Sequence, residues 1–352
     1  MKKLSTITLL ISLCMYVNGQ RKIMNIPDIP GFVTLKCDFH MHTVFSDGNV
    51  WPTVRIDEAI RDGLDAIAIT DHLEYTPKKE FIPVNHNAAW KLTEGYARDR
   101  NLILIHGTEI TKGKMPPGHF NALFINDAVP IAKDSIYDAC AEAVRQGAYI
   151  MWNHPGWKSQ QPDGIPRMYE IHRRLVKNKM LHGIEFFNDS DFYPAAFSIS
   201  DQNNLTLMAS SDVHGVISEQ YKGVHRPMTL VLAKERSHDA IKEALFARRT
   251  IALFNDMLAG KEEYVRQFFN GCVTVGKPFY QNDKSIMFEV KNSSDIPFIL
   301  INGTSGAPGS ITLEPNSATR VVLGIKVNSP LTYDVMNVMT GEKSLLKVEL
   351  KY

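Results

Sequence analysis

From about residue 32 to residue 250, short apolar runs rich in β-formers alternate with stretches in which apolar residues return every three or four positions. The runs Val33–Phe39, Asp65–Thr70, Leu102–Gly107, Asn121–Ile125, Ala148–Trp152, Gly183–Phe187, Leu205–Ser210 and Thr229–Ala233 predict strands. Between them, Thr53–Asp62 and Asp134–Gln146 predict amphipathic helices, closed by Gly63 and Gly147. Strands that alternate with helices point to parallel pairing, and so to an α/β sheet or barrel.

Beyond about residue 271 the helical period disappears. Val273–Tyr280, Ser285–Val290, Pro297–Ile301, Ser310–Leu313, Ala318–Ile325, Leu331–Val338 and Ser344–Leu350 are strand-like runs separated by Asn, Asp, Gly, Pro and Ser, which predicts a small all-β sandwich. Leu253–Phe269 reads as a connecting helix. The expected organisation is a leader over 1–19, a barrel over 20–271 and a β-sandwich over 272–352.

The leader rests on Lys2 and Lys3, the apolar run Leu9–Val17, and small residues at Val17 and Gly19, the pattern of an export signal. That run is shorter than the roughly 20 residues a bilayer demands, and no later run reaches that length. Cys14 lacks the small neighbours of a lipid-anchored cysteine. The expectation is an exported protein, periplasmic or extracellular, without stable membrane insertion.

Composition narrows the partners. The chain has 352 residues, 44% hydrophobic and 22% charged, enough for one large and one small domain. Loss of Lys2 and Lys3 with the leader takes 39 basic residues against 38 acidic to 37 against 38, a net charge of −1. Such a chain has no overall attraction for a nucleic acid polymer. Cys37, Cys140 and Cys272, far apart and odd in number, form no disulfide framework and read as small buried hydrophobes.

Candidate chemistry gathers at strand ends. His40 and His42 are two apart, so a strand points both the same way. Asp212 and His214 repeat that spacing after Leu205–Ala209, and Asp47 follows the first strand in Phe45-Ser46-Asp47-Gly48. Asp71 and His72 end the second strand, Glu109 ends the third, His119 precedes Asn121–Ile125, and His154 follows Ala148–Trp152. A lone histidine beside a strand is usually a satisfied polar group. Here the carboxyl ends of barrel strands would bring six imidazoles and several carboxylates to one face, where metal ions resolve the cost of burying them.

The motifs His40-Met41-His42, Ser46-Asp47-Gly48, Thr70-Asp71-His72, Glu109, His119, Asn153-His154-Pro155 and Ser211-Asp212-Val213-His214 resemble, in order and spacing, those of the PHP (polymerase and histidinol phosphatase) superfamily over roughly residues 32–250. The resemblance implies a distorted seven-stranded β/α barrel and a site for two or three divalent metals. It groups His40, His42, Glu109 and Asp212 on one ion; Glu109, His119 and His154 on a second; and Asp47, His72 and His214 on a third. Asp47 departs from histidinol phosphatases, which tend to carry histidine there. With the export signal, that argues against histidinol phosphate as substrate.

Three divalent ions would bring +6 and Asp47, Glu109 and Asp212 return −3, leaving about +3 to hold a small phosphate ester and hydroxide. Hydrolysis of a phosphodiester, in preference to a monoester, follows from the likeness to exported phosphodiesterases with an appended β domain. Zinc, manganese and iron all suit these ligands. Metal-bound water or His214 is nominated as proton donor to the leaving group, Asp71 and Glu185 as outer partners that orient ligands, and Arg226 as a fork on a phosphate oxygen. Lys112, Lys114 and Lys158 lie in loops that could rim the pocket or face solvent. Two other readings stay open: an amidohydrolase cleaving C–N or C–O bonds, and a non-catalytic exported protein that binds metal or glycan.

Overall fold

The computed structural model describes residues 23–352, so the segment 1–19 expected to be a leader, with Cys14, lies outside the described residues. β1 (Val33–Asp38), β2 (Ala66–Ile69) and β3 (Ile103–Thr111) run parallel. β4 (His119–Leu123) is antiparallel to both β3 and β5 (Tyr149–Trp152). β6 (Gly183–Asn188) continues parallel to β5, the two-residue β7 (Asp191–Phe192) folds back on it, and β8 (Thr206–Ser210) runs parallel beside it. β9 (Met228–Ala233) is antiparallel to β1, and β10 (Thr250–Phe254) and β11 (Met257–Gly260) extend the sheet from it as a hairpin.

The alternation of strand and helix is as the apolar pattern requires, while the uniform parallel direction is not. Residues 112–118 are all that join β3 to β4, too few for the crossover a parallel return needs. Helices α1 (Pro52–Arg61), α2 (Ala88–Arg98), α3 (Ile136–Arg145), α4 (Glu170–Lys177) and α5 (Ala195–Asn203) intervene elsewhere, followed by the short α6 (Ile217–Gln220), α7 (His238–Phe246) and α8 (Glu262–Cys272).

Side chains close the seam at β8. Thr229 Oγ1 accepts from Ala209 N at 2.9 Å and donates to its carbonyl at 2.8 Å, and Thr250 Oγ1 donates to Leu207 O at 2.8 Å. Past the strand ends, His42 N donates to Val213 O at 3.0 Å and Asp212 N to His40 O at 2.9 Å, which binds the β1 and β8 extensions together. The barrel is therefore distorted at the junction where the site lies.

Leu35, Cys37, Phe39, Ala66, Ala68, Ile105, Tyr149, Met151 and Met208 form one apolar cluster, each set spaced by two along its strand, and they fill the lumen. Gly183 belongs to the same layer: a Cβ there would meet the Tyr149 hydroxyl at 2.4 Å. The larger cluster lies between the sheet and its helices and runs on into the C-terminal sandwich. Cys37, Cys140 and Cys272 are free and buried.

Leu253–Phe269, predicted as helix, is instead the end of β10, a tight turn, β11 and most of α8. Asn255 and Asp256 both have positive φ, 47° and 62°, which suits the two central positions of a hairpin turn. Two apolar strands with only two polar residues between them imitate a helical run.

The C-terminal region is an all-β sandwich. One sheet holds β12 (Val273–Val275), β13 (Tyr280–Gln281), β14 (Ser285–Asn292) and β17 (Ser317–Gly324); the other holds β15 (Phe298–Ile301), β16 (Ser310–Leu313), β18 (Leu331–Gly341) and β19 (Ser344–Leu350). β11 pairs parallel with β18, Leu258 opposite Val338, so the barrel sheet and one sandwich sheet are continuous. Asn337 pins that junction: it accepts from Ile299 N and donates to Asp256 O and Pro297 O at 2.7 and 2.8 Å. Asn337→Ala leaves these partly buried groups without that partner, an expected cost of about 1 kcal/mol. Calorimetry should show one cooperative transition, shifted down in the variant; two separate transitions would contradict a mechanically continuous sheet. Among the described residues no helix is long and apolar enough to cross a membrane.

Candidate metal centre

Lumen-facing rows turn from apolar to ligating where the strands end. In β3 the row through Ile105 and Gly107 reaches Glu109, in β4 the row through Leu123 and Asn121 reaches His119, and in β5 the row through Tyr149 and Met151 leads on to Asn153. β1 behaves differently: the row changes phase after Phe39, and His40 and His42 flank Met41, whose backbone on the β1 extension bridges Val213 on the β8 extension. Their ring centroids lie 5.1 Å apart. A Cβ at Gly48 would sit 2.5 Å from the His42 carbonyl carbon, so the loop presenting Asp47 closes this tightly only with glycine there. His154 and Asp212 both have positive φ, 27° and 49°, rare backbone of the kind that surrounding structure holds at functional sites.

The nine candidate ligands converge. They fall into four overlapping sets whose ligand atoms lie within 4.8 Å of one another: His42, Asp47, His72 and His214; His40, His42 and Asp212; His40, Glu109 and His154; and His72, Glu109 and His119. Glu109 is the hub, fully buried, with His72 Nδ1 at 2.6 Å, His119 Nδ1 at 3.1 Å, and His40 and His154 Nε2 each at 3.6 Å. Asp212 Oδ1 stands 3.0 Å from His42 Nε2 and 3.2 Å from His40 Nε2. Asp47 faces His72 Nε2 at 3.4 Å and His214 Nε2 at 3.2 Å. His119 Nδ1 and His154 Nε2 both approach Glu109 Oε1, and their ring centroids lie 4.9 Å apart.

The donor set suits divalent ions. His40 Nε2 and Glu109 Oε2 are buried with no hydrogen bond of acceptable geometry, although charged atoms lie 2.6–3.6 Å away. Lone pairs that close together yet not aimed at one another converge on a point between them, as ligand lone pairs do.

Outer contacts fix the ring orientations. Glu185 accepts from His40 Nδ1 at 3.0 Å and His154 N at 2.6 Å, which turns His40 Nε2 toward the centre. The Asp212 carbonyl accepts from His214 Nδ1 at 2.8 Å, and Asn153 donates to Glu109 at 2.8 Å. Asp71 joins none of the ligand sets. It accepts from Thr43 N and Oγ1 and from Ser46 Oγ at 2.6–2.7 Å, and so holds the loop that carries Asp47. Burial raises its pKa.

Arg226 is not in the cavity. It is buried behind the site, bonding Asp62 at 2.8 and 3.0 Å and Asp38 at 3.3 Å, so its fork is spent on two carboxylates and none of it reaches a phosphate. Lys112 is drawn to Glu74 and the Lys133 carbonyl, and neither Lys114 nor Lys158 lines the cavity.

Sequence reasoning missed Arg55, buried in α1 and bonded to the carbonyls of His42, Val213 and Gly215 at 2.8–3.0 Å. It ties the two ligand-bearing extensions together, and Glu58 balances its charge at 2.7 Å. The available signal was an Arg–Glu pair, three apart, interleaved with Ile56 and Ala59 in a helix expected to be amphipathic.

Electrostatics in the metal-free centre follow from packing carboxylates among imidazoles. Burial alone would lower His72, but Glu109 and Asp47 outweigh it and raise it to about 10. His40 rises for the same reason, beside Asp212, Glu185 and Glu109. Burial, with His72 and His214 close by, lowers His42 to about 3. Burial would raise Glu109, yet His72, His40 and His119 hold it well below the carboxylate range.

Metal must therefore displace protons from His40 and His72 near neutrality. Affinity is expected to fall about tenfold per pH unit for each proton displaced as pH drops from 8 to 6. Titration calorimetry in buffers of different ionisation enthalpy reads those protons directly; heats independent of the buffer would contradict this.

The PHP domain family matches residues 38–211, and an Ig-like domain family, DUF5001, matches 273–351. A crystal structure from Bacteroides vulgatus, of a two-domain protein containing a predicted PHP-like metal-dependent phosphoesterase, is 40% identical with a TM-score of 0.90. The match covers 94% of this chain and 99% of that one. An uncharacterized protein of Methanocaldococcus jannaschii is 37% identical over 83 residues, 24% of this chain and 36% of that protein's length.

Proposed function

The chain belongs to the PHP superfamily of metal-dependent phosphoesterases, and on that premise we propose that it hydrolyses small phosphate esters, diesters in preference to monoesters, at a site for two or three divalent ions. The observation that carries this reading is Glu109: one buried carboxylate with five imidazoles around it and Asp212 and Asp47 close by. Zinc, manganese or iron bound there would supply positive charge against the phosphoryl oxygens and acidify water toward neutrality.

This chain's own residues do the positioning. Glu185 and the Asp212 carbonyl hold His40 and His214 with Nε2 inward. Asp71 fixes the Asp47 loop, and Arg55 fixes the spacing between the β1 and β8 extensions. His214, with its side chain 38% exposed at the mouth, turns Nε2 toward Asp47 at 3.2 Å; with that nitrogen on an ion it carries no proton there, so the departing oxygen would take its proton from water at the open mouth. The cavity it faces, about 760 Å³, is of a size that suits a small ester.

The test is turnover of matched phosphodiester, phosphomonoester and amide substrates by protein loaded with manganese, zinc or iron. The proposal expects phosphoester cleavage, with diesters ahead. Amide cleavage alone would favour amidohydrolase chemistry, and no turnover with any metal would leave a binding protein.

A further inference from the structure

The cavity over the metal centre has walls whose chemistry the phosphoryl group does not explain. Tyr75, in the loop after β2, is 52% exposed with its ring centroid 5.8 Å from that of His72. Trp157, in the loop after β5, is 39% exposed, 5.3 Å from His154 and 5.9 Å from His119. Both line the same cavity, each against a different side of the ligand cluster. Two aromatic faces left open to water beside the reacting centre offer stacking area.

Charge sharpens the picture. Among the described residues lining the cavity, none is lysine or arginine, while Glu74, Asp189 and Asp191 all line it. Glu74 is balanced by Lys112. Asp189 is bonded by neutral donors, Gln220 and the Tyr221 hydroxyl, and Asp191 by the Tyr193 hydroxyl. Neutral donors orient a carboxylate without cancelling its charge. An anionic group beyond the phosphate would meet no arginine or lysine and two carboxylates, whereas a cation there would meet both carboxylates and the aromatic faces.

We propose that the site takes phosphoesters whose single anionic centre is the phosphorus attacked and whose organic group is a planar aromatic, neutral or cationic. Tyr75 and Trp157 are then specificity-determining residues that stack the organic group, and Asp189 and Asp191 reject polyanionic esters. The inference rests on the proposed phosphoesterase reading and names its substrate class.

Binding separates the two claims, because uncleavable phosphonates need no turnover. With metal-loaded protein, calorimetry would compare benzylphosphonate, its para-aminomethyl and para-carboxy derivatives, and cyclohexylmethylphosphonate. The expected order places the aminomethyl compound about tenfold or more tighter than the carboxy compound, with benzyl tighter than cyclohexylmethyl by about fivefold. Trp157→Ala should erase the planar preference and Asp189→Asn with Asp191→Asn the charge preference. Equal affinities across the wild-type series, or tighter binding of the carboxylate, would overturn the proposal, whatever the variants do. Discrimination among phosphonates without cleavage of any phosphoester would instead count against the phosphoesterase reading alone.

Discussion

Replacing Glu109 by Gln should lower phosphoester turnover by about three orders of magnitude and prevent a full complement of metal from binding. The change is nearly isosteric, so packing around the fully buried side chain is preserved while its charge is removed. His72, His119, His40 and His154, all 2.6–3.6 Å from this carboxylate, then face one another across an uncharged amide. His40 and His72 also lose the anion that helps hold them protonated, so the metal-free variant should release those protons at lower pH. Saturating metal stabilises a native protein by about 2.7 kcal/mol at a hundred times Kd. The variant should show a much smaller rise in Tm on adding metal, and an unchanged rise would remove Glu109 from the centre.

Arg226→Ala should act on stability, at about 3–5 kcal/mol, because it strips the cation from two buried carboxylates. Asp62 loses two hydrogen bonds and Asp38 one. Asp38 in turn accepts from Ser211 N and Oγ and from His40 N, directly behind Asp212 and the first imidazole of the centre. The loss should therefore appear as a lower Tm together with weaker metal binding. A variant of native Tm with a raised KM for phosphate esters would instead restore the phosphate fork suggested by sequence.

Much of this architecture is legible in the sequence. Apolar runs at strand length, bounded by turn residues, placed β1 to β6, β8 and β9 within a few residues, because burial on both faces of a sheet imposes that pattern. Histidines and acids at the ends of those runs could be read together, since a barrel brings strand ends to one face. Strand direction could not be read so: β4 and β9 carry the same apolar signature as their parallel neighbours, and only for β4 did a short connection, residues 112–118, hint otherwise. The hairpin of β10 and β11 hid in a run interrupted only by Asn255 and Asp256.

Arg226 was misread for a different reason. An arginine's role depends on what faces it, and its partners Asp38 and Asp62 lie 188 and 164 positions away. Tyr75 and Trp157 were passed over because aromatics in loops belong to no periodic pattern, and their significance appears only when they line one cavity. The division of ligands among individual ions was likewise beyond spacing alone, because His42, His72, His40 and Glu109 each fall in two sets.

The central claim is that side chains from His40 to His214 form one multinuclear metal centre. Anomalous diffraction from crystals of the full chain loaded with manganese tests it most directly. The account predicts two or three peaks, each within about 2.0–2.3 Å of imidazole nitrogens and carboxylate oxygens from the nine ligands, with Glu109 shared between ions. Peaks lying elsewhere, or none in fully loaded protein, would contradict it.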